Sequence, residues 1–155
     1  MVVLQNAMES ITNNLRRNHK RIVFTNGVFD ILHYGHIDYL TRAKKLGDVL
    51  IVGVNTDRSV KKFKSKDRPI QNEKDRARIV DALKPVDYVV LFSESTPEKL
   101  IKIIKPDVLV KGADYKISEI VGAEFVKSYG GKVKRIKLQK GRSTTGIIKK
   151  MATNK

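Results

Sequence analysis

The segment Thr25–His36, TNGVFDILHYGH, holds two of the chain's three histidines, His33 and His36, three residues apart around Gly35. An apolar run ends within it at Gly27, and a helical pattern begins at its far end, so both imidazoles fall at a helix start. Such a start offers unpaired N–H groups and partial positive charge, which favours phosphate. Imidazoles held there can donate hydrogen bonds to phosphoryl oxygens and stabilise charge that grows in a transition state. Two other uses fit the same spacing. With Asp30 or Asp38 the pair could hold a metal, although that set matches no common zinc arrangement. Both rings could also be structural, one capping the helix and one packed in the core.

The elements around the pair alternate. RIVFTNG, from Arg21, reads as a buried strand, and IDYLTRAKKLG as a helix with Ile37, Leu40, Ala43 and Leu46 on one stripe. DVLIVGVNTD is a second strand, continuous in Val and Ile as strands covered on both faces are. EKDRARIVDAL is a helix with Ala77, Val80 and Leu83 inward, and DYVVLF is strand three. STPEKLIKII opens a helix with Ser95 as N-cap, Pro97 in the first turn and Glu98 closing a capping box. PDVLVKG is strand four, SEIVGAEFVKSYGG a helix, KVKRIKL strand five, and Ser143–Met151 a last helix. The first eighteen residues read as a helix added in front, for which a homodimer contact is one use. Alternation of this kind predicts an α/β fold: one Rossmann-like, doubly wound, five-stranded parallel sheet. Ligands of such sheets bind beyond the C-terminal strand ends, so the loops after strands one, two, four and five should carry the chemistry.

Bulk composition narrows the classes. At 155 residues the chain is one domain's worth. It has no cysteine, which excludes disulfides, thiolate metal sites and a cysteine nucleophile. No apolar run approaches the ~20 residues of a membrane span, and MVVLQNAMESITNN lacks the features of a signal peptide, so a cytoplasmic protein is expected. Thirty-two Lys and Arg against sixteen Asp and Glu give a net charge of +16. That imbalance suits an anionic partner, or else a lysine-rich solvated surface. Arg58–Arg68 carries six basic groups and one acid, and Lys127–Lys155 carries ten with no acid. Aromatic residues do not interleave with these runs as single-strand stacking platforms require, so nucleic-acid binding has charge behind it but no motif. There is neither a Walker A lysine loop nor a G-x-G-x-x-G.

TNGVFDILHYGH resembles the G-x-F-D-x-x-H-x-G-H signature of the small nucleotidyltransferases, which include cytidylyltransferases and heptose phosphate adenylyltransferases. The resemblance runs on through AKKLGDVLIVGVNTDRSV, KSKDRPIQNEKDRARIVDAL, DYVVLFSESTPEKLI, PDVLVKGADYKISEIVGAEFV and GRSTTGIIKKM, and so covers residues 21–151. The later blocks are similar to the adenylyltransferase domain of bifunctional ADP-heptose synthases, here without a sugar kinase domain. The resemblance implies a single nucleotidyltransferase domain over 1–155, with 1–18 as a helical extension. It implies transfer of AMP from ATP to a heptose 1-phosphate, with Mg2+ carried on the nucleotide's phosphates and no metal site in the protein. The alternatives are a cytidylyltransferase for glycerol 3-phosphate or a similar polyol phosphate, and a basic nucleic-acid-binding protein on the same fold. An arginine found several residues ahead of the S-T-T block in glycerol phosphate cytidylyltransferases is missing from the IKLQKG stretch here, which speaks against CTP.

Position by position, the resemblance implies that His33 and His36 hold the triphosphate and stabilise charge at the α-phosphorus. Thr25, Asn26, Gly27, Phe29 and Gly35 match the segment lining the nucleotide cleft. Lys64 matches a phosphate-binding lysine, with Lys61, Lys62 and Lys66 as near alternatives. Lys111, Gly112 and Asp114 resemble a nucleoside-pocket loop. Ser143, Thr144 and Thr145 match a block that cradles the β- and γ-phosphates, with plain helix capping as the other reading. Asp30 matches a carboxylate on the acceptor side, or else caps its own loop. Arg76 matches an arginine that reaches phosphate from its helix, or else sits in a surface ion pair.

Overall fold

Two helices and a loop separate the second and third strands of the sequence reading, whereas every other crossover is shorter. The computed structural model describes residues 1–65 and 67–153, so Lys66 and Lys155 lie outside the described residues. In chain order the elements are β1 (Val2–Val3), α1 (Met8–Arg17), β2 (Ile22–Gly27), α2 (Tyr34–Lys44), β3 (Val49–Asn55), α3 (Asp57–Val60), α4 (Glu73–Asp81), β4 (Tyr88–Phe92), α5 (Glu98–Ile104), β5 (Val108–Gly112), α6 (Ala123–Ser128), β6 (Lys132–Ile136) and α7 (Thr144–Thr153). The strands form one parallel sheet in the order β1-β4-β3-β2-β5-β6.

That sheet has six strands where the sequence predicts five. The extra one is β1, which pairs Val2 with Val89 and Val3 with Val90 at the β4 edge. The amino-terminal extension is therefore strand followed by helix, and it belongs to the core. Met8 and Thr12 of α1 are fully buried, and Arg16 caps the far end of α5 through the carbonyls of Ile104 and Lys105. Ile11 and Leu15 pack on the same cluster. The apolar stripe of α1 thus packs on its own chain.

Both faces of the sheet are covered. Val23, Leu50, Val52, Val54, Val89 and Val110 meet α2 and α4 through Tyr39, Leu40, Ala43, Ala77 and Val80. On the other face Ile22, Phe24, Ile51, Val90 and Leu109 meet Met8, Leu100, Ile101, Ile104 and Val126. Each such aliphatic side chain contributes roughly 1.5–3 kcal/mol by leaving water. The α2 stripe is turned slightly from the sequence reading: Ile37 is 42% exposed, and Tyr39 takes the inward place. Pro97, rather than Ser95, is the N-cap of α5, and no side chain caps that end. The predicted helix over residues 118–131 is broken at Gly122, whose φ of 83° only glycine adopts without strain, leaving the short α6.

Strand order reverses beside β2. From there the chain moves out through β3 and β4, then returns to β5 on the opposite side. Two loops therefore part company beyond the ends of β2 and β5 and leave a crevice between them.

Candidate active site

The crevice is a cleft of about 530 Å3, lined from β2 and its loop by Asn26–Asp30 and from the start of α2 by His33, Gly35 and His36. Lys64 and Arg68 close one side; Lys111, Gly112, Asp114 and Tyr115 close another; Arg142–Thr145 stand at the mouth. A larger groove of about 720 Å3 runs between α1 and α5. Among its charged walls Lys102 pairs with Glu98 at 2.7 Å and Lys99 with Glu94 at 3.4 Å, and it lies away from the histidine pair.

Phe29 has a φ of 50°, a turn that brings its buried ring to 5.4 Å from the His36 ring. His33 then serves as the N-cap residue of α2 in extended backbone conformation. The two imidazoles stack, with centroids 3.9 Å apart and planes at 29°. Gly35 is what permits this. A Cβ there would lie 2.9 Å from the His33 ring and 3.2 Å from the Cβ of Arg142. The Nδ1 atoms of His33 and His36 and the Oδ1 of Asn26 are buried without a hydrogen-bond partner among the described residues. Buried polar atoms are rarely left so, and three at one cleft point to a bound ligand.

Burial, and secondarily the neighbouring His33, pushes His36 down to about 4. His33 is lowered as well, by burial and by the charge of Arg142. Both rings are therefore neutral at pH 7 and act as neutral hydrogen-bonding groups. Burial brings Lys111 down to about 8, partly offset by Asp114, and its ammonium sits 5.6 Å above the Tyr115 ring. At the mouth, the Ser143 hydroxyl accepts from the Gly146 N–H at 3.0 Å, and the Thr144 hydroxyl donates to the Ile31 carbonyl at 3.0 Å. Ser143 thus closes the first turn of α7, and Thr144 ties that turn to the loop before α2. Thr145 is exposed in the cleft wall.

Three expected site residues are corrected. Thr25 is fully buried and shares a 2.7 Å hydrogen bond with the Tyr39 hydroxyl, so it braces α2 against β2 and does not line the cleft. Arg76 is also fully buried. It donates to the carbonyls of Val28 and Gln71 at 2.6 and 3.0 Å and to Asp57 at 2.8 Å, which leaves nothing to reach phosphate and makes it a tie between three loops. Asp30 borders the cleft but is 2% exposed, with its carboxylate taken by Arg68 at 2.7 Å and by the N–H groups of Ile70 and Gln71 at 2.9 Å. Burial alone would raise its pKa; those donors outweigh it and hold the carboxyl below its ordinary value. Asp30 therefore anchors the Arg68–Gln71 segment instead of facing an acceptor.

The remaining residues named from the sequence do meet in this one cleft: Asn26, Gly27, Phe29, His33, Gly35, His36, Lys64, Lys111, Gly112, Asp114, Ser143, Thr144 and Thr145. Lining residues that the sequence reading missed include Asn55, Arg68, Tyr115 and Arg142. Arg142 stood beside the S-T-T block, and Asn55 was a polar residue closing an otherwise apolar strand. The loop after β4 also contributes Ser95 and Pro97, beyond the four loops expected.

Comparison with known proteins agrees with this geometry. The cytidylyltransferase-like family model matches residues 24–150. Bifunctional protein HldE of a Nitratiruptor species is 56% identical over 144 residues, 93% of this chain and 30% of that protein. Its namesake in Helicobacter pylori is 51% identical over the same shares. The chain thus spans about 30% of the length of the curated relatives it matches. The crystal structure of the lipopolysaccharide core biosynthesis protein from Thermoplasma volcanium superposes with a TM-score of 0.64 at 36% identity, over 79% of this chain and 99% of that one. Pantoate-beta-alanine ligase from Francisella tularensis shares the fold, with a TM-score of 0.62 at 20% identity over 94% of this chain and 69% of that one. With the signature histidines stacked at the sheet's switch point and the family model matching residues 24–150 of 155, the chain belongs to the cytidylyltransferase-like family.

Proposed function

We propose that this chain is an adenylyltransferase that moves AMP from ATP to a heptose 1-phosphate, giving an ADP-heptose and pyrophosphate for lipopolysaccharide or another surface glycan. The observation that carries the reading is the stacked His33–His36 pair, with its unpartnered nitrogens, in a cleft rimmed by Lys64, Lys111 and Arg142. The heptose reading comes from the resemblance of the later sequence blocks and from the relatives named HldE. Residues 21–151 are the catalytic core in this account, 1–155 is one domain, and substrates such as ATP put the activity in the cytoplasm.

An oxygen of the sugar phosphate attacks the α-phosphorus in line. The bond from that phosphorus to the α,β-bridging oxygen breaks, and pyrophosphate leaves with the electron pair. The attacking oxygen is already anionic, so no general base is needed and catalysis is positioning plus charge neutralisation. His33 and His36 donate to oxygens on the α-phosphorus, where charge is greatest in the transition state. Lys64 and the start of α7 face the outer phosphates, and the Lys111–Tyr115 corner takes the nucleoside.

Magnesium bound to the phosphates supplies further neutralisation. The donor set fits a metal carried by the nucleotide: the cleft's carboxylates are Asp30, occupied by three donors, and Asp114, across from the histidines' loop beside Lys111. The test is to incubate the protein with one heptose 1-phosphate and each of ATP, CTP, GTP and UTP, then identify the sugar nucleotide by mass. ADP-heptose as the dominant product supports the proposal. A preference for CTP, above all with glycerol 3-phosphate, replaces it with the cytidylyltransferase reading.

A further inference from the structure

The cleft contains two arginines in different states. Arg68 gives its Nε to Asp30 at 2.7 Å. Arg142 is exposed, and among the described residues its guanidinium meets neither a carboxylate nor a carbonyl; only its backbone N–H is engaged, with the Gln139 carbonyl at 3.4 Å. The segment that carries it is nonetheless held in place. The Arg42 guanidinium donates to the Lys137 carbonyl at 2.9 Å, the Gln139 amide to Asp38 at 3.2 Å, and the Thr144 hydroxyl to the Ile31 carbonyl at 3.0 Å. All three ties run to α2 or to the loop before it, the element that positions both histidines.

Gly35 makes the convergence close. The stem of Arg142 and the ring of His33 flank the space where a side chain at 35 would stand, at 3.2 and 2.9 Å. The stem of an arginine with no side-chain partner among the described residues is thereby set beside the histidine pair, whose buried Nδ1 atoms also lack partners, and its charge reaches His33. Its charge disfavours protonation of His33, so the positive charge at this corner of the cleft stays on the guanidinium, where an anion can meet it. A planar guanidinium fork matches phosphoryl oxygens in pairs, which a lysine ammonium does not.

We propose that Arg142 is a further catalytic residue, which grips the β- and γ-phosphates of ATP and neutralises the charge that collects on pyrophosphate as its bond to the α-phosphorus breaks. This rests on the adenylyl-transfer reading above. It assigns the departing group to the segment between β6 and α7 and leaves the α-phosphorus to the histidines.

Calorimetric binding of inorganic pyrophosphate to the full chain tests the assignment without needing the acceptor. Arg142→Gln should weaken that binding at least about tenfold and lower kcat/KM for ATP by about 10²-fold, the scale of losing a transition-state donor. Arg142→Lys should recover only part of both, and the thermal unfolding of both variants should match the unmodified chain, since Arg142 buries nothing. Equal pyrophosphate affinity in Arg142→Gln and the unmodified chain overturns the proposal, as does no binding by the unmodified chain. Binding that depends on Arg142, with no ADP-heptose formed from any heptose 1-phosphate, sinks the acceptor reading and leaves Arg142 standing. Turnover undiminished in Arg142→Gln does the reverse.

Discussion

Burial keeps His33 and His36 neutral, with Arg142 adding to the effect on His33 and His33 to that on His36. At neutral pH the charge therefore comes from the lysines and arginines around the pair, while the two imidazoles offer hydrogen bonds. Replacing either by Ala should lower turnover by roughly 10²-fold or more. Circular dichroism should show the fold intact, because both rings face the cleft; near-normal turnover would remove that histidine from the chemistry. The same burial has a stability consequence. The folded pKa of His36, about 4, lies below the ordinary histidine value of 6.5, so the unfolded chain binds the extra proton first. Stability from this group is complete above about pH 6.5 and is lost as pH falls toward 4, by on the order of 1 kcal/mol once its partial exposure is allowed for. Melting temperature should fall less between pH 7 and pH 5 in His36→Gln than in the unmodified chain; parallel falls would contradict the assignment. At this scale the histidine pair was legible because its members are contiguous in sequence. Thr25, Asp30 and Arg76 were misread because their partners, Tyr39, Gln71 and Asp57, lie 14 to 41 residues away and only the fold brings them together.

Among the elements, the loops after β2 and β3 are locked by one buried arginine. Arg76 on α4 ties Val28, Gln71 and Asp57 together, and its removal would strand two carbonyls and a carboxylate. Arg76→Ala should therefore cost about 3–5 kcal/mol. Arg76→Lys should restore little, since an ammonium cannot span the three acceptors. Denaturant unfolding reads the loss, and a variant as stable as the parent would refute the scaffold role. The strand–helix alternation was legible throughout residues 21–151 because buried parallel strands and amphipathic helices carry different periods. The edge was not. Val2–Val3 is too short for any period, and its identity as a strand comes from β4, which lends it Val89 and Val90 as partners. Pro97 displaced Ser95 as the α5 cap for a similar reason: the loop after β4 is shaped by contacts with Gln5 and Ser59, both distant in sequence.

Over the whole molecule, the +16 charge does not stand as an isolated surface property. Both basic runs deliver residues to the cleft, Lys64 and Arg68 from the first and Arg142 from the second, while Lys132 and Lys134 keep the β6 edge soluble. A field of that sign raises the local concentration of a polyanionic nucleotide and is screened by salt. Raising ionic strength from about 20 to about 200 mM should lower kcat/KM for ATP several-fold while leaving kcat nearly fixed. An unchanged kcat/KM would show that the charge serves something other than this substrate. The most direct measurement is pyrophosphate release from ATP and magnesium with each heptose 1-phosphate anomer and with glycerol 3-phosphate, run side by side. The account predicts release with one heptose anomer and background with glycerol 3-phosphate. Release with glycerol 3-phosphate alone, or with no sugar phosphate at all from folded protein, would contradict it.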